Sequence, residues 1–245
     1  MRSRPADKPR GPAYGSRDAG RCPMIHYDRH SQALAVGLAA VAGFVDALGY
    51  LHFGGYFASF MSGNSTRFAI GLARDRHAAA VAAGLIGTFL LGTMLGAAVG
   101  QLAGRRRPPV VLGLVTVLLV AAAGLAHLGK PFAAVPMVLA MGAENAVFQR
   151  NGDVSIGLTY MTGTLVKFGQ RLTAALMGGD RLGWLPYATL WGGLVAGATA
   201  GAFTYEALRL AGLWVAAAAM AGLTGAALGL PRRARAAIAP PEAPP

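Results

Sequence analysis

The chain has 245 residues, of which 54% are hydrophobic and only 13% charged, with 35 glycines and a formal net charge of +12. Soluble domains carry about 25% charged residues, so a water-soluble globule is excluded on composition. The basic excess does not point to nucleic acid, because the arginines gather in tails and loops (Arg2 to Arg29, Arg105 to Arg107, Arg232 to Arg235) around long uncharged blocks, as the positive-inside rule describes.

In chain order, residues 1–30 are rich in Arg, Pro and Gly and hold no apolar stretch, so they read as a disordered cytoplasmic tail and not as a signal peptide. Met24 is an alternative start to Met1. The single cysteine, Cys22, excludes a disulfide framework and a multi-cysteine metal site. Six segments are long and apolar enough to span a bilayer: Ala33–Phe53, Ala78–Ala103, Val110–Leu128, Phe132–Phe148, Trp184–Leu208 and Leu213–Leu230, since about 20 apolar residues in a helix rise about 30 Å. Two more, Phe57–Ala73 and Gly157–Met177, are interrupted by polar residues and carry a cation near the middle, which makes them poor lipid-facing spans. The end, residues 232–245, is again low-complexity.

Shifting the first half by about 100 residues lays Phe60-Met61-Ser62-Gly63-Asn64 on Tyr160-Met161-Thr162-Gly163-Thr164, and Arg67-Phe68 on Lys167-Phe168. One residue out of step, Gly92, Gly96 and Gly100 fall on Gly193, Gly197 and Gly201; upstream, Gly43 falls on Gly142 and Asp46 on Asn145. The chain is therefore read as two membrane repeats, 31–129 and 130–231. If the short segments are re-entrant, each half crosses three times and the halves are inverted; if they span, each crosses four times and the halves are parallel. With both termini cytoplasmic, six crossings put Arg105–Arg107, Arg181 and Arg232–Arg235 inside and leave Arg74 and Arg76 outside. That is the better fit to the positive-inside rule, so the expected fold is an all-α membrane protein with about six spans, two short re-entrant or broken helices and an inverted repeat.

The motifs Gly43-Phe44-Val45-Asp46-Ala47-Leu48-Gly49-Tyr50, Met61-Ser62-Gly63-Asn64 and Thr159-Tyr160-Met161-Thr162-Gly163-Thr164 resemble the bacterial YoaK family, also called DUF1275. The resemblance runs over residues 33–230. It implies a multi-pass membrane protein of unknown function, of a kind sometimes described as a transporter, and it supports the architecture more than any mechanism.

The polar segments carry what functional signal there is. Irregular backbone at membrane depth needs protein or a water-filled cavity around it, and a half-helix N-terminus there offers free N–H groups and a partial positive charge. The candidate solute site is thus Ser62, Gly63, Asn64 and Arg67 from one half with Thr162, Gly163, Thr164 and Lys167 from the other. The competing reading is close helix packing at the glycines, with hydroxyls bonded back to carbonyls. The two cations favour an anionic or small polar solute. Asp46 and Glu144, acids inside apolar segments, are proton-coupling candidates; the alternative is fixed ion pairs, Asp46 with Lys167 or Glu144 with Arg67. The glycine ladders read as packing faces, within the chain or in a homodimer. Tyr50, His52, Phe53, Tyr56 and Phe57 read as an interfacial aromatic belt. No phosphate loop, metal-binding helix or nucleophile motif is present in the sequence, so no cofactor, metal, nucleic acid or enzymatic activity is expected. The expected function is transport across the bacterial inner membrane; the alternatives are a passive channel or an accessory membrane subunit.

Overall fold

A computed structural model describes residues 29–150, 153–154 and 160–229. The expectations for both tails, for the start at Met1 or Met24, for Cys22, for Thr159 and for Arg232–Arg235 fall outside the described residues. The fold is helical: α1 (Arg29–His52), α2 (Met61–Arg74), α3 (Arg76–Ala103), α4 (Arg107–His127), α5 (Ala134–Glu144), α6 (Met161–Leu176), α7 (Leu185–Leu208) and α8 (Leu213–Gly229). The exception is a small antiparallel pair, Gln149–Arg150 with Asp153–Val154, between α5 and α6. Four helical stretches are long and apolar enough to cross a membrane: α1, α3, α4 and the run Leu185–Gly229. That last run is broken at Arg209–Gly212 into α7 and α8.

Local chemistry sets the breaks. Asp75 sits alone between α2 and α3 in an extended conformation, and its carboxylate accepts from the backbone N–H groups of His77 (2.9 Å) and Ala78 (3.2 Å), an N-cap that starts α3. Pro108 and Pro109 occupy the first turn of α4, where a missing N–H costs nothing. Arg209 ends α7 at φ 51°, a left-handed conformation unusual for a side-chain-bearing residue. α5 is shorter than the expected Phe132–Phe148. It stops at Glu144, and residues 145–148 continue as turns. The two short helices begin at Met61 and Met161; residues 56–60 before the first are non-helical, and before the second only Tyr160 is described, also outside a helix.

α1 is the central element. Its most extensive partner is α7, and α3 packs correspondingly on α5. α2 lies on α3 and α6 on α7; α4 and α8 pack on each other, α4 also on α5 and α8 also on α1. Both large pairings are glycine-mediated and run parallel. Gly193, Gly197 and Gly201 of α7 lie in sequence against the backbone of Val36, Ala40 and Phe44 of α1, and Gly92 and Gly96 of α3 against Leu139 and Ala143 of α5. α8 runs opposite to α1, with Leu223 against Gly37 at one end and Gly212 against Leu48 at the other. The buried core is Leu38, Leu48, Leu112, Leu119, Met137, Met141 and Leu213 with many alanines. By contrast only 17% of the apolar window of α3 is buried, which leaves Leu90, Leu91, Met94 and Leu95 facing outward, as lipid-facing side chains do.

The glycine ladders fit together one turn away from the expected register. Gly197 meets Ala40 as Gly92 meets Leu139, and Gly201 meets Phe44 as Gly96 meets Ala143. With Gly43 laid on Gly142 as in the sequence, these contacts pair Gly92 with Gly197 and Gly96 with Gly201, one turn from the alignment of Gly92 with Gly193. A ladder that repeats every four residues matches itself after a shift of one turn, so sequence alone does not fix its register.

Candidate functional site

Between α1 and α2 the chain turns at Gly54 and Gly55, both at positive φ, and runs non-helically through Tyr56, Phe57, Ala58, Ser59 and Phe60 into the start of α2. Non-helical backbone leaves N–H and C=O groups without a helical partner, and three side chains reach this stretch. The Asp46 carboxylate of α1 accepts from the Ser59 backbone N–H at 2.6 Å and from the Ser59 hydroxyl at 2.5 Å. Asn64, fully buried, donates to the Phe57 carbonyl at 2.8 Å and accepts from the Phe57 N–H at 3.1 Å. Arg67 donates to the Gly54 carbonyl at 3.0 Å and lies over the Tyr56 ring at 4.5 Å from its centroid. The glycine at 55 makes room for that guanidinium, since a Cβ there would stand 2.9 Å from Arg67 Nη2.

Held this way, the first turn of α2 meets the first turn of α6. A cavity of about 260 Å³ is lined by Ser59, Phe60, Met61 and Ser62 from one side and Tyr160, Met161, Thr162 and Gly163 from the other. A larger one, about 490 Å³, shares Ser59, Phe60 and Met161 with it and adds Asp46, Tyr50 and Phe57, with Leu194, Ala198 and Ala202 of α7 as the facing wall. Three rings form a continuous aromatic side: Phe57 stacks at 4.9 Å on Tyr50 and edge-on at 5.2 Å on Phe60.

Ser62, Thr162 and Gly163 line the smaller cavity. Gly63 lies beneath the rings of Phe60 and Phe57, and Asn64 faces the loop. Ser65 and Thr66 bond back to Met61 and Ser62 carbonyls; Thr164 does the same to Tyr160 at 3.4 Å. The expected convergence of two cations does not occur: Arg67 is engaged with Gly54 and Tyr56, and Lys167 is exposed. Neither makes the ion pair weighed for it. Asp46 lines the larger cavity. Glu144 is fully buried, and both its carboxyl oxygens lack a hydrogen-bond partner among the described residues; it lies within electrostatic reach of Asp46. Asn145 donates instead to the Met141 carbonyl at 3.0 Å. Of the expected aromatic belt, Tyr50 and Phe57 wall the cavity, Tyr56 carries Arg67, and His52 Nδ1 lies 3.3 Å from the Tyr205 hydroxyl. Ser59, Phe60 and Met161, shared by both cavities, were not among the site residues expected from the sequence. The repeat offers a signal for the first: Ser59 and Thr159 are hydroxyl residues at matching positions just before the two motifs.

A helical membrane protein in which the first turns of two short helices line one half-open cavity is the class these features define. The chain belongs to the DUF1275 family, described as a protein of unknown function, whose model matches residues 34–226. It is 36% identical over 202 residues to a UPF0700 transmembrane protein of Rhizobium meliloti, covering 82% of this chain and 88% of that one. No solved structure matches it.

Proposed function

We propose that the protein is a solute transporter of the bacterial inner membrane, with both termini cytoplasmic, six crossings (α1, α3, α4, α5, α7, α8) and two half-penetrating helices (α2, α6) in an inverted repeat. The observation that carries this reading is the meeting of the α2 and α6 N-termini, from matching sequence segments, at one shared cavity. Helix pairings that recur when α1–α4 are exchanged for α5–α8 support the repeat. So does the 3.1 Å contact between Thr116 and Thr224, the facing hydroxyls of α4 and α8. Inversion is supported by the approach of α1 and α5: Gly49 lies by Met137, and Asp46 is within reach of Glu144, so position rises along one helix as it falls along the other. Inverted repeats with broken helices at the midplane are a recurrent transporter architecture.

The solute site is the pair of joined cavities, with Ser62, Thr162 and Gly163 at the helix ends and Asp46 at the deeper wall. Asp46 and Glu144 are the proton-coupling groups. A buried carboxylate without donors is costly, and a proton or a cation removes that cost. The case for an anionic solute rested on Arg67 and Lys167 lining the site, and it loses that support. Proteoliposome uptake over a panel of small metabolites tests the proposal. Saturable uptake driven by a proton gradient, and lost in Ser62→Leu and Thr162→Leu proteins that remain folded, is the expected result. Non-saturable flux would replace the transporter with a passive channel, and folded protein without any flux would leave an accessory subunit.

A further inference from the structure

We infer that the larger cavity takes an organic cation: a protonated amine on an aromatic or apolar body. The inference rests on the reading that this cavity is the solute site and names the solute's class.

Charge is the first argument. Asp46 is the only carboxylate among the described residues lining the larger cavity, and no Lys, Arg or His is among them. The nearby cations are turned away from it: Arg67 to the 54–56 turn, Lys167 outward, and Arg209 over the Tyr205 ring at 5.1 Å. Behind Asp46 stands Glu144, a second acid with no donor. A carboxylate has about four acceptor positions. Ser59 donates twice to that of Asp46, and the backbone N–H groups of Ala58 and Phe60 also face it; these donors are neutral, and an ammonium would bring the full opposite charge that they do not supply. In an apolar surrounding an anion would meet Asp46 at full Coulombic cost, weakly screened. The helix ends do not reverse this: Phe60, the N-cap of α2, and Met161, the first residue of α6, border the cavity, but each such end carries only about half an elementary charge, against the full charges of two acids.

Shape and chemistry of the walls are the second argument. A volume of about 490 Å³ lies within the range of about 300–1,000 Å³ for small-molecule sites. Among the described lining residues Asp46, Ser59 and Tyr50 carry side-chain oxygens, too few for a bare metal cation, which takes about six or more oxygen ligands. The Tyr50, Phe57 and Phe60 rings offer faces that attract cations and apolar area for a hydrocarbon body. Across from them Ala47, Ala198 and Ala202 leave the space open.

Isothermal titration of the purified full-length protein with three matched probes, 2-phenylethylammonium, 2-phenylethanol and 3-phenylpropionate, tests the class. The cation is expected to bind at least roughly tenfold more tightly than the neutral probe and the anion not at all. Asp46→Asn should remove the preference. Because Asp46 also holds the loop, Ala202→Phe serves as a second variant that fills the cavity without touching the acid, and it should abolish cation binding. Equal binding of all three probes, or a cation preference that survives both substitutions in folded protein, overturns the inference. Cation binding without flux in proteoliposomes would sink the transport reading alone. Flux blocked by Ala202→Phe but indifferent to the cation would sink the solute class alone.

Discussion

Gly96→Ala and Gly84→Ala are the same substitution on the same helix, and the structure gives them opposite signs. At Gly96 a new Cβ would stand 2.6 Å from the Ala143 carbonyl oxygen and 2.7 Å from its Cα; at Gly84 nothing lies within 4 Å. Ordinary van der Waals contact begins near 3.4 Å, so α3 and α5 would have to part by about 0.8 Å. The obstacle is backbone, which no rotamer change can move. Overpacking of this kind costs about 1–3 kcal/mol, and the upper end applies here. Both variants gain the same helix propensity, about 1 kcal/mol for alanine over glycine, so their difference isolates the packing term at about 3 kcal/mol. For a chain of this size 1 kcal/mol moves the unfolding midpoint by about 2–4 °C, and the two variants should differ by about 6–12 °C in a detergent thermal-unfolding assay, Gly96→Ala below Gly84→Ala. Gly201→Ala, whose Cβ would stand 2.5 Å from the Phe44 carbonyl oxygen, should match Gly96→Ala. Midpoints within about 1 °C of one another would refute the glycine-mediated contact between these helices.

Asn64→Ala leaves the Phe57 N–H and carbonyl without partners and should cost about 2–4 kcal/mol, and Asn64→Asp, which sets a buried carboxylate against the Phe57 carbonyl, should cost at least as much, both read from thermal midpoints. Arg67→Ala should cost about 1–2 kcal/mol through one hydrogen bond and one ring contact, against less than about 0.5 kcal/mol for Lys167→Ala; the reverse order would contradict the contacts described for Arg67. In a Cys22→Ser background, a cysteine at Lys130 should react with an impermeant thiol reagent from outside intact cells, and cysteines at Arg106 and Arg181 only after permeabilisation. Outside labelling at Arg106 would end the six-crossing topology.

Long uncharged blocks made the helices legible, and the match of Met61-Ser62-Gly63-Asn64 with Met161-Thr162-Gly163-Thr164 marked the two short helices, though not their first residues. What the sequence hid lies in register and direction. The glycine ladders were visible, but their four-residue period concealed a shift of one turn. The aim of Arg67 depends on the Gly54-Gly55 turn, which places a carbonyl and the Tyr56 ring within reach of its guanidinium, and a cation in an apolar segment carries no mark of which way it points. Asn64 looked like a ligand-binding amide and serves as a clamp on Phe57, because backbone at that depth has first claim on any polar side chain beside it. Ser59 and Phe60, which line both cavities, precede the conspicuous residues and resemble ordinary loop positions.

The two halves do not hold their short helices equally, and this has a measurable consequence. In the first half Asn64 makes two bonds to Phe57, and Arg67 ties α2 to the turn at Gly54. At the matching positions of the second half, Thr164 bonds to Tyr160 and Lys167 is exposed, with neither a hydrogen bond nor an ion pair to any of the described residues; residue 157, which matches Phe57, lies outside the described residues. α2 also lies more extensively on α3 than α6 does on α7. Segments with fewer buried contacts and fewer fixed hydrogen bonds open at lower free energy. Backbone amides of residues 164–170 should therefore exchange with deuterium faster than those of 64–70, although both stretches are helical and start from the same motif. Replacing Asn64 by Thr should bring the first stretch toward the second. Equal protection in the two stretches, or slower exchange in 164–170, would show that these side-chain clamps do not set the stability of the short helices.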